Sequence, residues 1–315
     1  MGGALVVQLH SRRDWLRATC AGGLAWACPE VGWSALRKPS IELGFSLYGF
    51  PKTPVLEALK VVSEIGYRSV ELALLPNWPS DPMSFLADAR GEVRRALADL
   101  GLGLPALMDN LPLSVPEAAF QAHAERIRRA ADVAHALVPD APPLLETVLG
   151  GKPGDWDSVK ESFASRLREW AKLAESLRMT IAVKAHVGNA MNRPEHLVWL
   201  LDAVDSPWIR GAFDPSHFDG RGIPLNEAWT ALSKRTVFVH VKDRAPGEAV
   251  KFLLPGEGTI DYRGLFGLML RDGYAGPVVV EVSGQIHSQP GYDPVAAAAK
   301  SFRSLDAARK SAMTH

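Results

Sequence analysis

Asp214, His240 and Glu281 are the residues of this chain whose types and placement could gather one divalent cation. Each lies at or just beyond the end of a short apolar run, GAFDPSH, VFVHVKD and VVVEVSG, all between Gly211 and Gly284. Runs of this kind, bounded by polar and turn residues, fit buried parallel strands. In a parallel α/β barrel the C-terminal strand ends form the face on which active sites are built. An Asp, a His and a Glu on successive strand ends offer oxygen and nitrogen ligands to a hard or borderline ion. One such residue is more often a helix cap or half of an ion pair. Three at the same end of consecutive strands point to a shared site.

The elements that must position them recur along the chain. Ile41–Ser46 reads as a first strand. Thr53-Pro54 then offers a helix N-cap followed by proline at the first helical position. The helix VLEALKVVSEI stops at Gly66, and the strand YRSVELAL follows. The same helix, stop and strand return at RRALADLGLGLPAL and LFGLMLRDGYAGPVVVEV, and at AKLAESLRMTIAVKA with Arg178 where the others have glycine. Strands are expected near Ile41, Tyr67, Gly103, Pro143, Met179, Ile209, Thr236 and Pro277. Eight such units predict an α/β fold made of a single (β/α)8 TIM barrel over 41–315. An open doubly wound sheet usually carries a glycine-rich phosphate turn after its first strand, and GFSLYGF is not one.

Composition bounds the partners. The 315 residues are 47% hydrophobic, and 35 Lys plus Arg balance 35 Asp plus Glu. No net field draws such a protein to nucleic acid or to an anionic membrane. No apolar run reaches the length needed to span a bilayer. The two cysteines, Cys20 and Cys28, make no disulfide framework. A homo-oligomer is neither indicated nor excluded.

The first 40 residues stand outside the repeat. Ser11-Arg12-Arg13-Asp14-Trp15-Leu16-Arg17 followed by ATCAGGLAWA resembles a twin-arginine export signal, with Trp15 where that pattern usually has Phe. Ala25-Trp26-Ala27 fits its cleavage site. The expectation is a signal peptide over 1–27, a linker over 28–40 and a periplasmic barrel. Lipid anchoring through Cys28 ranks second, because Trp26 fits a lipobox poorly.

Other strand ends add polar groups: Glu71 on the second, Asp109 and Asn110 on the third, Glu146 on the fourth, and Lys184 and His186 on the fifth. The sixth adds His217 and the seventh Lys242 and Asp243. For Glu71, Asp109 and Asp243 a structural cap or rim ion pair is at least an even reading. With these residues in view, the chain from Ile41 onward resembles the xylose-isomerase-like TIM barrels of the sugar phosphate isomerase/epimerase superfamily. The resemblance rests on Asp214-x-x-His217, on His240-x-Lys242-Asp243, on Glu281 and on the loop GEGTID starting at Gly256. It implies a divalent metal (Mn, Zn, Mg or Co) on Asp214, His240 and Glu281, with Glu281 also moving protons. His217 would contact substrate, and His186, Lys242 and Glu71 are further candidates for that role. AP endonucleases share the barrel, but their extra histidine ligands and late D-x-H pair have no counterpart here.

One position departs from the pattern. Lys184 stands where the resemblance implies a glutamate ligand, and an ammonium has no lone pair to give a metal. Three outcomes stay open: a metal on the remaining ligands with Glu146 recruited, Lys184 paired with the vacant carboxylates, or Lys184 depressed in pKa and serving as a base. The expected activity is an exported carbohydrate isomerase, epimerase or lyase that removes a proton beside the carbonyl of a sugar or keto-sugar, with Lys184, Glu281 and Glu146 catalytic. The alternative is a catalytically retired barrel that binds carbohydrate or acts as a partner subunit.

Overall fold

Eight parallel strands alternate with helices in the computed structural model, which describes residues 41–247 and 250–314. The export signal over 1–27, the linker over 28–40 and Cys28 lie outside the described residues. The strands are β1 (Glu42–Ser46), β2 (Ser69–Ala73), β3 (Gly103–Met108), β4 (Leu144–Val148), β5 (Ile181–Lys184), β6 (Ile209–Phe213), β7 (Thr236–Val241) and β8 (Pro277–Val280). Each pairs with its sequence neighbours, and β8 closes on β1 through Glu42↔Pro277 to Phe45↔Val280. The sheet is therefore a closed barrel and not a doubly wound open sheet.

Helices α1 (Val55–Ile65), α2 (Ala87–Leu100), α3 (Glu117–Leu137), α4 (Trp156–Leu177) and α5 (Pro194–Val204) follow the first five strands. The later ones are α6 (Pro215–Asp219), α7 (Leu225–Leu232), α8 (Tyr262–Arg271), α9 (Gly284–His287) and α10 (Pro294–Met313). Helix α1 covers VLEALKVVSEI as expected, but Pro54, not Thr53, is the capping residue and no side chain caps its end. Gly66 ends α1 with φ of 115°, the left-handed conformation that a residue without Cβ adopts freely. Arg178 takes the same left-handed role after α4 with φ of 51°.

Two layers of apolar side chains hold the barrel. The larger lies between strands and helices and includes Phe45, Tyr67, Phe163, Trp170, Phe213 and Trp229. The smaller fills the lumen with Ala106, Ala182, Ala212, Phe238 and Val279, where three alanines leave room for one phenylalanine. Side chains alternate across a strand, so the residue two places on returns to the same face. Adding two to Ala182, Ala212, Phe238 and Val279 reaches Lys184, Asp214, His240 and Glu281. The lumen packing thus aims these four into the barrel, one layer above its dry floor, and Phe238 packs edge-on against His240 with ring centroids 4.8 Å apart.

After β7 the chain forms a short antiparallel hairpin, Asp243–Arg244 with Phe252–Leu253. Asp243 organises the loop behind it: Oδ1 accepts from the Arg244 and Ile260 amides and Oδ2 from Gly256 N. A Cβ on Gly258 would lie 2.1 Å from Arg244 O and 2.5 Å from Asp243 Oδ1, so this loop closes only with glycine there. GEGTID is a structural brace for the hairpin, and Asp243 belongs to it rather than to the charged cluster.

Candidate active site

At the C-terminal end of the barrel, side chains at the ends of six strands meet in one buried charged cluster. Lys184 Nζ donates to Glu281 Oε2 at 2.7 Å, lies 2.7 Å from His240 Nδ1 and is 3.1 Å from Glu146 Oε1. Lys242 Nζ donates to Glu281 Oε2 at 3.0 Å, pairs with Asp214 Oδ2 and lies 3.2 Å from His217 Nε2. On the far side of His240, Nε2 is 2.9 Å from Glu71 Oε2. Asp214 Oδ1 is occupied by Ser216, from its amide at 3.0 Å and its hydroxyl at 2.6 Å. Glu281 is the opening of the site to solvent at 8% exposure, while Lys184, Lys242, Asp214, His240, Glu71 and Glu146 are each at 1% or less.

Ionisation follows from these contacts. Burial opposes charge on Lys184, yet Glu146, Glu281 and Asp214 outweigh it and hold its pKa above the ordinary ammonium range. The depressed-pKa base expected as one outcome from the sequence is thus not its resting state. The pairing of Lys184 with carboxylates, the second outcome left open by the sequence, is the arrangement present. Burial likewise raises Glu281, but Lys184, Lys242 and His240 more than offset it and keep that carboxylate ionised. Glu146 goes the other way: burial raises its pKa, and Lys184 does not compensate. Its Oε1 has only the Lys184 ammonium, at 3.1 Å, and its Oε2 has no hydrogen-bond partner.

Burial also disfavours charge on His240, while Glu71 and Glu281 pull its pKa up to about 9. Nε2 faces Glu71 Oε2 and Nδ1 lies 3.1 Å from Glu281 Oε2, so each ring nitrogen has a carboxylate to donate to, and the imidazolium is held beside the Lys184 ammonium by these two carboxylates. His186 and His217, with ring centroids 4.1 Å apart, are neutral: burial and then the Lys242 charge lower both, His186 to about 4.

The metal expected on Asp214, His240 and Glu281 meets an obstacle in this arrangement. Lys242 Nζ contacts both Asp214 and Glu281, and Lys184 Nζ lies 2.7 Å from both His240 Nδ1 and Glu281 Oε2, so an ammonium already holds each pair of ligand atoms. A different set, Glu71, Glu146 and His240, offers one ligand atom each, all within 4.8 Å of one another and all buried. Glu71 Oε1 and Glu146 Oε2 lack hydrogen-bond partners, and two carboxylates with an imidazole suit a divalent ion. This cluster is compatible with a metal, provided His240 releases the Nε2 proton that faces Glu71.

The other sequence candidates sort by position. Glu71 is fully buried against His240, so its place is that of a carboxylate orienting a histidine and not of a substrate contact. His217 and Lys242 lie inside the cluster, and His186 stacks beside it. Asp109 is paired with Arg126, a rim ion pair. Tyr48, Trp78 and His287 were not singled out from the sequence, yet they gather beside Glu281. The available signal was weak: an aromatic or histidine within a few residues of the β1, β2 and β8 ends.

Known proteins share this architecture. L-ribulose-5-phosphate 3-epimerase UlaE of Escherichia coli O157:H7 (strain EC4115 / EHEC) is 26% identical over 144 residues, 46% of this chain and 49% of that protein. The chain thus spans about half the length of the curated relatives it matches. A xylose isomerase domain protein from Alicyclobacillus acidocaldarius superposes with a TM-score of 0.70 at 20% identity, over 87% of this chain and 100% of that one. The 3-keto-D-glucoside 4-epimerase YcjR from E. coli, in its apo form, superposes at 0.67 and 18% identity, over 85% and 100%. The model of the xylose isomerase-like TIM barrel family matches residues 59–308, and this chain belongs to that family.

Proposed function

We propose that the protein is a carbohydrate isomerase, epimerase or lyase that removes a proton from the carbon beside a sugar carbonyl. The observation that carries this is the buried contact between an ionised carboxylate and a charged ammonium, Glu281 Oε2 and Lys184 Nζ at 2.7 Å, on the face where barrel enzymes react. The names of similar proteins, epimerases of ribulose phosphate and of a keto-glucoside, support the reaction class.

Glu281 Oε2 is occupied by two lysines, which leaves Oε1 to accept the proton from carbon. The C–H electrons move into the carbonyl, and the Lys184 and Lys242 ammoniums offset the negative charge that develops on its oxygen. Once Glu281 is neutral, one of the carboxylates that held Lys184 charged is gone. The lysine then gives up a proton more readily, to carbon or to a departing hydroxyl. Transfer of the proton from Glu281 back to Lys184 resets the site. Glu146, raised in pKa and behind Lys184, is a second buried proton store. Glu71, Glu146 and His240 would hold a divalent ion, which when bound supplies a Lewis acid for the carbonyl.

The test is proton exchange in D2O. Methyl 3-keto-glucopyranoside and free ketoses should gain deuterium beside the carbonyl in NMR spectra, and Glu281→Gln should stop it. A specific observation favours a retired binder as second reading: the cluster's charges satisfy one another and little of it reaches solvent. Ligand-induced thermal shift with no deuterium uptake in any substrate would select that reading. Export rests on the Arg12-Arg13 motif and the Ala25-Trp26-Ala27 site alone. It predicts mature protein beginning at Cys28, and exported material that still begins at Met1 would refute it.

A further inference from the structure

The charged cluster is bordered on one side by an uncharged aromatic group. Tyr48 directly follows β1, where Ser46 Oγ accepts from its amide at 3.3 Å. Trp78 lies in the loop after β2, and His287 ends α9, the turn of helix after β8. Their parent strands β8, β1 and β2 are neighbours, so the three residues share one sector of the barrel mouth. Tyr48 and Trp78 stack with centroids 5.5 Å apart and planes 17° apart, and His287 meets Tyr48 edge-on at 4.6 Å. Tyr292 extends the group, 6.4 Å from His287, with its hydroxyl donating to Gly49 O at 2.9 Å.

Two features separate this group from ordinary core packing. All three side chains are half-buried instead of sealed. Trp78 Nε1 and His287 Nε2 also lack hydrogen-bond partners. A buried indole N–H or ring nitrogen without a partner is normally costly, and a ligand hydroxyl would satisfy it. Flat aromatic faces with a few uncommitted polar atoms at their edges suit a sugar ring, whose C–H face is apolar and whose rim carries hydroxyls. The reacting carboxylate is close enough to act on this group: burial first, and then the Glu281 charge, raise the pKa of the Tyr48 hydroxyl.

We propose that Tyr48, Trp78 and His287 form a subsite for a neutral pyranose ring, so that the substrate is a ring-closed keto-glycoside and not a phosphorylated open-chain ketose. The inference rests on the proton-transfer reading of Glu281 and adds the substrate class. A phosphate would need cationic or multiple N–H donors, whereas this sector presents two aromatic faces, an indole N–H and a histidine that burial keeps neutral. The lysines are committed to Asp214, Glu146 and Glu281.

Calorimetric titration with two probes, methyl 3-keto-glucopyranoside and L-ribulose 5-phosphate, tests this directly. The wild-type protein should bind the neutral ring at least tenfold more tightly. Trp78→Ala and Tyr48→Ala should each weaken that binding about tenfold, whereas Trp78→Phe, which keeps a stacking face, should recover most of it. Thermal melts identify any variant that fails to fold, and His287→Gln then serves as a milder probe of the polar edge. Tighter binding of the phosphate, no binding of either probe, or folded Ala variants that bind the ring like wild type would overturn the subsite. Binding and reaction fail separately: variants that lose ring affinity in a protein with no deuterium exchange would retain the subsite and reject the proton-transfer reading. Exchange with unchanged KM in the variants would do the reverse.

Discussion

The first and second halves of the barrel contribute differently to the same cluster. Strands β1 to β4 supply carboxylates without a cation of their own, Glu71 and Glu146. Strands β5 to β8 supply Lys184, His240 and Lys242, together with Asp214 and Glu281. Charge balance in the first half therefore depends on groups that reach across the lumen. Lys242 pairs only within its own half, with Asp214 and Glu281, whereas Lys184 joins Glu146 of one half to Glu281 of the other. A metal site of the usual kind needs one ion where its ligands meet. In this chain covalently attached ammoniums occupy that ground, and the remaining metal-compatible set draws two of its three ligands from the first half.

Lys184→Met should break this arrangement most severely. Removing one partner of a buried pair leaves uncompensated charge, which costs about 3–5 kcal/mol. Urea unfolding should register that loss, and deuterium exchange into substrate should fall by about 10²–10⁴-fold, the usual range for a proton-transfer group. Lys242→Met should cost less stability, because Glu281 keeps Lys184 and His240. Equal losses in the two variants would remove the distinction between a cross-barrel and a local cation.

Glu71→Gln comes next. It preserves shape but replaces a charged acceptor for His240 Nε2 with a neutral one, a loss of about 1–3 kcal/mol by the scale of charged hydrogen bonds. The His240 pKa, followed by NMR, should fall from its raised position because the Glu71 charge is a principal cause of it. An unchanged His240 titration would show that the first half does not act on the second through this bond.

The fold was legible because its signal is local and repeated: helix VLEALKVVSEI, the stops at Gly66 and Arg178, and apolar strands with polar ends. The site was legible by strand end but not by pairing. Glu71 and His240 are 169 positions apart, and no local pattern shows that the closed lumen sets one against the other. Glu146 was visible as a candidate, but its pairing through Oε1 with Lys184 alone depends on where that lysine turns. Asp243 stood in the H-x-K-D run with a structural reading at least even, and its side chain is indeed consumed by the amides of Arg244, Gly256 and Ile260. Strand alternation would have made the separation: His240 and Lys242 share the inward face and Asp243 does not.

Metal binding sharpens the comparison at intermediate size. With Mn2+ at 100 times its dissociation constant, stability should rise by about 2.7 kcal/mol wherever a native site exists. In the wild-type protein that shift should disappear in Glu146→Gln and in His240→Ala, since both supply ligand atoms. Lys184→Glu should bind Mn2+ more tightly by replacing an ammonium with a carboxylate beside His240 and Glu281, without restoring native turnover. If calorimetry gives Lys184→Glu the same affinity as wild type, the ammonium is not what excludes a metal from that position.

Acid stability isolates the second half of the barrel. Burial first, then Lys242 and Lys184, lower His186 to about 4, and none of those causes lies on β1 to β4. The unfolded chain, with an ordinary histidine pKa near 6.5, binds a proton before the folded protein does. Between pH 6.5 and 4 the unfolded state therefore holds more protons, and stability must fall as pH drops through that window. Below about 4 both states are protonated at this site and its contribution levels off. His217 has the same sign and is held neutral to lower pH, so it extends the decline. His186→Gln removes one titration and should flatten the acid limb by up to about 3 kcal/mol, judged from urea midpoints at pH 7, 5 and 4. Glu71→Gln, acting on the other half, should leave the His186 part of that limb in place. A His186→Gln profile parallel to wild type from pH 7 to 4 would mean that the folded protein accepts a charge on His186, and that the two lysines do not exert the field their positions imply.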